Sequence, residues 1–228
     1  MRLWTHARYG QQMSGTAAEI LDASGRGVTV TQATASKQPA VTSTANIKAW
    51  AFDGVNDGLA TSVINLTNTN KVTVAYVHRQ AAAQDGAIYE TSVNTNFNQG
   101  SLAFYQLAAA NAQLTAGYQF NNTYQYKEFA APIATWRGIV AVGDTTLTAA
   151  NELKIFMNGA QQTVFVNPIQ ADFAGLFFGS YASYIGARAT TSIFLNASLA
   201  SLVVMDIALD DTAAATLSVL LRQAAGVP

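Results

Sequence analysis

The side chains in this 228-residue chain that could carry out chemistry are few and scattered. Nucleophilic catalysis needs a nucleophile, a base and an orienting acid. The chain has no cysteine, His6 and His78 are its only histidines, and no Gly-x-Ser-x-Gly turn occurs. Glycoside hydrolysis uses two carboxylates roughly 5–10 Å apart, most simply placed at i and i+2 on one strand face. Glu19, Glu90, Glu128 and Glu152 each lack a carboxylate two residues away. No Gly-x-x-x-x-Gly-Lys phosphate loop and no zinc-type histidine spacing is present. These absences point away from an enzyme, and no catalytic residue is assigned.

Two groups of residues remain as binding candidates. In Asp53-Gly54-Val55-Asn56-Asp57, Asp53 and Asp57 are the best available oxygen ligands for a metal, and calcium is the ion they suit. The same five residues also read as a plain turn whose side chains bond their own backbone. The second group is aromatic. Tyr105, Tyr124 and Tyr126, with Asn121 and Asn122 between them, combine rings that stack on sugar faces with amides that bond hydroxyls. The competing reading is core packing, since aromatics favour strands and fill sandwiches.

The elements that must position these residues are mostly strands. From Ile47 onward the hydrophobic period is two. Val72, Val74, Tyr76 and His78 share one face of a strand, which makes His78 a packed histidine rather than a base. Leu114, Ala116, Tyr118 and Phe120 alternate with Gln113, Thr115, Gly117 and Gln119, so Tyr118 and Phe120 should point inward. Asn158-Gly159 between two alternating runs predicts a hairpin, because both turn residues tolerate positive φ. Ala197 to Met205 is apolar on both faces, as in a central covered strand. Asp210 or Asp211 should cap a helix over about 212–225, with Leu217, Leu220 and Leu221 facing inward. Residues 1–45 read as a lead-in segment or as an arm lying on a neighbouring subunit, and 46–228 as one β-sandwich.

Composition narrows the class further. Half of the residues are hydrophobic, only 11% are charged, and the net charge is −1. With no clustered cations to displace counterions, nucleic acid is not an expected partner. No apolar run approaches the ~20 residues needed to cross a bilayer as a helix, so no membrane is expected either. The start of the chain lacks a signal-peptide core, and a surface so poor in charge suits a fixed assembly.

Three stretches, taken in order, resemble laminin G-like domains of the concanavalin A-like lectin and glucanase superfamily. They are Ala49-Trp50-Ala51-Phe52-Asp53-Gly54-Val55-Asn56-Asp57-Gly58-Leu59, then Trp136–Val142 running into Leu153–Gly159, then Tyr184-Ile185-Gly186-Ala187-Arg188 followed by Phe194–Met205 and Ala208–Asp211. The resemblance implies an all-β, two-sheet antiparallel jelly-roll sandwich with a short C-terminal helix. The glucanase pattern Glu-x-Asp-x-Glu is missing. The lead-in around Ala40-Val41-Thr42 is similar to that of laminin G-like modules in bacteriophage virion proteins. That likeness implies a structural protein of the virion, decorating the capsid or attached to the tail. Its partners would be the major capsid protein or tail proteins, and it would form a homo-oligomer. The alternative is a carbohydrate-binding or receptor-binding adhesin module with a glycan as ligand.

Overall fold

The computed structural model describes residues 1–7, 19–44, 46–92, 99–108, 113–120, 123–166 and 168–228. The first strands are β1 (Leu3–His6), β2 (Glu19–Ile20), β3 (Val30–Thr31), β4 (Ala40–Thr44), β5 (Ile47–Asp53) and β6 (Leu59–Thr61). The middle of the chain supplies β7 (Lys71–Gln80), β8 (Gly86–Thr91), β9 (Ser101–Leu107), β10 (Gln113–Phe120) and β11 (Thr123–Ala130). Then come β12 (Arg137–Asp144), β13 (Leu153–Met157), β14 (Ala160–Gln161), β15 (Ser183–Ile185), β16 (Asn196–Met205) and the helix α1 (Asp211–Ala224).

These strands form two antiparallel sheets. The first has the order β14-β13-β12-β7-β16-β5-β4, and β1 also pairs with β16. The second has the order β11-β10-β9-β8-β15-β6-β3-β2. β5 takes residues 196–199 of β16 and β1 takes 201–204, on either side of a register shift. The described strands within residues 1–45, read from sequence as a lead-in segment or an arm over a neighbour, pair within this chain's own sheets.

The period-two pattern explains the core. Val72, Val74 and Tyr76 of the first sheet meet Leu102, Phe104, Leu114, Tyr118 and Phe120 of the second, all buried. Removing apolar area of this kind from water stabilises by roughly 25 cal/mol per Å². His78 is fully buried among them, and burial pushes its imidazole down to about 3, so it is neutral. Its Nε2 lies 3.2 Å from Gln106 Oε1. The Gln106 amide nitrogen donates to the carbonyls of Gln84 and Asn196, which leaves Oε1 to accept from the ring.

The helix covers the outer face of the first sheet. Asp210 caps it, its carboxylate accepting from Ala213 N at 2.8 Å. The buried stripe is Ala214, Ser218 and Leu221; Leu217 is half-buried and Leu220 is 54% exposed. Leu221 faces inward as expected and Leu217 packs against the same core, while Ala214 and Ser218 take the closest approach because the helix lies almost on the sheet: a Cβ at Gly138 would stand 1.9 Å from the Ser218 carbonyl oxygen. The hairpin turn ties into the same contact. Asn158 and Gly159 have φ of 54° and 92°, Asn158 Oδ1 accepts from Gly138 N, and Gly159 N donates to Ser218 Oγ at 2.7 Å.

This contact predicts that Gly138→Ala destabilises the protein by about 2–3 kcal/mol through overpacking. Gly25 has φ of +75° but nothing within 4 Å of a Cβ, so Gly25→Ala should cost only about 1 kcal/mol of backbone strain. Urea unfolding midpoints of the two variants check the ranking.

Candidate functional site

The second sheet has an outer face that α1 does not cover, and strands β9, β10 and β11 cross it side by side. Side chains alternate between faces along each strand. Burying Phe104, Leu114, Ala116 and Phe129 therefore sends Tyr105, Thr115 and Glu128 outward. These three are register partners across the sheet. In the neighbouring row Ala103, Gly117 and Tyr126 are partners, and Gln119 pairs with Tyr124. Tyr105, Tyr124 and Tyr126 line one pocket of about 290 Å³, together with Leu107, Thr115 and Glu128. The three tyrosines singled out in the sequence are thus brought together. Asn121 and Asn122 lie outside the described residues.

Gly117 is the floor of the pocket. A Cβ there would meet Gln125 O at 2.3 Å and the Tyr126 Cβ at 2.5 Å. Any side chain would push the Tyr126 strand away, so the floor stays flat between flanking rings. Tyr118 lies under the pocket in the core, edge-on to Phe178 at 5.2 Å between ring centroids. Its hydroxyl donates to Glu152 Oε2 at 3.3 Å, and Glu152 Oε1 accepts from Phe173 N at 2.8 Å. Glu152 is fully buried, and burial, followed by the charge of Asp172, raises its pKa against these bonds.

Tyr105 is fixed more firmly than an ordinary surface tyrosine. Its hydroxyl donates to Glu90 Oε2 and accepts from Arg188 Nη2 at 2.6 Å. Arg188 Nε donates to the same Glu90 oxygen at 3.0 Å, and Ser92 Oγ to the other at 2.7 Å. The guanidinium also lies 5.3 Å from the centroid of the Tyr105 ring, within cation–π range. Burial, and then the Glu90 charge, raise the Tyr105 pKa, so the ring remains a neutral phenol. Glu90 is 1% exposed with its partner Arg188 over it. A carboxylate buried in this way needs such pairing to be tolerated.

The edge strand β11 is covered by the segment after β14. Tyr126 and Ile169 exchange both backbone hydrogen bonds, at 3.0 Å each, so their side chains share a face. Phe165 packs towards the core beneath the Lys127 ammonium, 4.9 Å from its ring centroid. Val164, Val166 and Ile169 are exposed.

Leu107, Thr115, Glu128, Glu90, Arg188 and Ile169 were not among the binding candidates the sequence offered, and Glu90 and Glu128 were weighed there only as catalytic carboxylates. Thr115 and Glu128 were legible in principle, since they have the outward parity of Tyr105. Glu90 and Arg188 are 98 positions apart and share no local pattern.

The other candidate, Asp53 with Asp57, lies elsewhere, at the β5–β6 turn. Asp53 Oδ1 accepts from Val55 N and Asn56 N, and Asp57 Oδ2 accepts from Asp53 N at 3.0 Å. The carboxylates are thus engaged with the turn's own backbone. Among the described residues no group of three or more His, Cys, Asp or Glu is placed to hold a metal ion. Burial pushes Asp57 up to about 6, against the bond from Asp53 N. Its folded pKa therefore lies above the unfolded value. The stability it contributes is complete below pH ~4 and is lost as pH rises through about 6. Asp57→Asn keeps the acceptor and removes the charge. Thermal melts should show the variant gaining on the parent protein between pH 5 and pH 7.5, with little difference near pH 4.

No family model matches the chain, and no curated protein matches it. Solved structures do. The heptameric SAP-like pentraxin from Limulus polyphemus aligns over 78% of this chain and 84% of its own, at 15% identity and a TM-score of 0.55. The binding domain of botulinum neurotoxin serotype G aligns over 96% of this chain at 12% identity and a TM-score of 0.68. A botulinum neurotoxin type C structure, from work on cell entry dependent on two ganglioside molecules, aligns over 96% at 13% identity and a TM-score of 0.64. The chain spans about half the length of these toxin domains. At such identities the likeness is one of fold, and that fold is the all-β, jelly-roll, concanavalin A-like sandwich.

Proposed function

We propose that this protein is a non-enzymatic binding module that holds a saccharide in the tyrosine-lined pocket on the outer face of β9–β11. The observation that carries the reading is the convergence of Tyr105, Tyr124 and Tyr126 over the flat Gly117 floor. Flat rings with polar tips match the alternating apolar faces and hydroxyl edges of pyranose rings, and tyrosine offers such area at low entropic cost. Glu128 supplies a carboxylate at the same wall. Carboxylate catalysis is not part of the reading, because Glu90 is already engaged with Tyr105, Arg188 and Ser92.

Neighbours of the same fold lend support of a coarser kind. They are binding domains, and one of them belongs to a toxin whose cell entry depends on two ganglioside molecules. Assembly through an N-terminal arm has less behind it, since the described lead-in strands pair within the chain's own sheets. Mounted on a virus particle, the setting implied by the laminin G-like resemblance, a module of this kind would serve attachment.

A glycan microarray probed with the whole protein tests the reading, followed by titration of the intrinsic tyrosine fluorescence. Tyr126→Ala and the more exposed Tyr124→Ala should each weaken binding at least tenfold, about 1.4 kcal/mol, while thermal midpoints stay close to that of the parent. Binding that survives both substitutions, or no binding to any arrayed glycan, refutes the proposal.

A further inference from the structure

Beside the tyrosine pocket lies a second hollow of about 270 Å³, bounded by Asp85, Tyr105, Gln106, Leu107, Arg188 and Ile193. Tyr105 and Leu107 belong to both walls, so the two hollows meet across a shared ridge. Each alone falls just below the ~300 Å³ at which ligand sites usually begin, whereas together they lie within that range.

The far wall is built at a cost. Arg188 N donates to Ser192 O at 2.8 Å, closing a tight loop; Ala189 and Thr190 within it and Ile193 just after it have φ of 47°, 57° and 50°. Positive φ in β-branched residues such as Thr190 and Ile193 is a true outlier. Strain of this kind persists where the surroundings enforce it, and it clusters at ligand-holding loops. Ile193 O accepts from Ala87 N at 2.9 Å, which pins the wall to the start of β8.

We infer that the ligand is an extended, uncharged oligosaccharide, one unit lying in the tyrosine pocket and the next crossing Tyr105 into the hollow beside Arg188 and Ile193. This rests on the saccharide reading above and adds the length and charge of the ligand. The second hollow presents one carboxylate, Asp85, and one guanidinium, Arg188. Asp85 Oδ1 already accepts from Ala108 N at 2.7 Å, and Arg188 is paired with Glu90. Glu90 offsets the Arg188 charge, while the backbone bond leaves that of Asp85 in place, so the hollow disfavours anionic groups, and its acceptor and donor suit hydroxyls that both donate and accept. Glu90 and Arg188 act as positioning residues, because they hold the Tyr105 ring upright at the point where the chain would cross.

The test uses the whole protein and three named series, cello-, malto- and chito-oligosaccharides of one to six units, measured by isothermal titration calorimetry. In the series that binds, affinity should rise at least tenfold from one to two units. Ile193→Gly relieves the strained φ while deleting the apolar wall, and Asp85→Asn keeps the acceptor for Ala108 N. Both should leave monosaccharide affinity unchanged and reduce the gain from the second unit at least fivefold, with thermal midpoints reported beside each. An affinity that does not depend on length, or a gain that persists in both variants, overturns the second subsite while leaving the tyrosine pocket standing. If no series binds at any length, the saccharide reading falls, and this inference with it.

Discussion

The arrangement of the open face depends on strand register. In β9, β10 and β11 a slip of one residue would exchange the buried row for the exposed row. Phe104, Leu114, Ala116, Tyr118, Phe120 and Phe129 are each at most 3% exposed, so any such slip would carry six apolar side chains into water. The positions of the outward tyrosines are therefore consequences of what is buried behind them. Nothing on the outer face has to specify its own location, and it is free to be shaped for contact.

Charge is used sparingly throughout. Lys71 pairs with Asp144, Lys154 with Asp211, Arg2 with Asp206, and Arg188 with Glu90. The first three are partly exposed pairs, worth little individually in water. The fourth is different, because its carboxylate is buried and its partner also contacts a ring. Breaking it from one side would leave a charge stranded out of water, which is much worse than never having had the pair. Lys127 belongs to the same economy. Its ammonium donates to the Ala150 and Leu153 carbonyls and lies against Phe165, drawing the covering segment onto the edge of β11.

Local patterns made much of the fold legible from the sequence. Period two gave the strands, Asn158-Gly159 gave the hairpin, and the Asp210-Asp211 pair gave the helix cap, which the structure assigns to Asp210. Of the helix stripe, Leu221 and Leu217 were legible and the small residues Ala214 and Ser218 were not, because a helical pattern does not reveal how closely the helix approaches its sheet. Leu220 looks like core until Gly138 is seen directly beneath Ser218. The lead-in was hard to read for a similar reason: β2 and β3 have two residues each, too few to show a period. At the site, the tyrosines were visible as residue types. The Glu90–Arg188 clamp depends on pairing between distant strands and could not be found locally, and the same is true of the hollow behind it.

Both ends of the chain belong to the first sheet. β1 pairs with β16, Met1 N lies 3.6 Å from Asp206, and Val227 is buried with α1 against that sheet's outer surface. The tyrosine pocket opens on the opposite side of the sandwich. The module therefore has a back and a front: whatever is joined to either terminus, whether a tag, a bead linker or more polypeptide, leaves from the back. Immobilised through an end, every copy would present its tyrosines outward, so copies arrayed on one support would all face the same way.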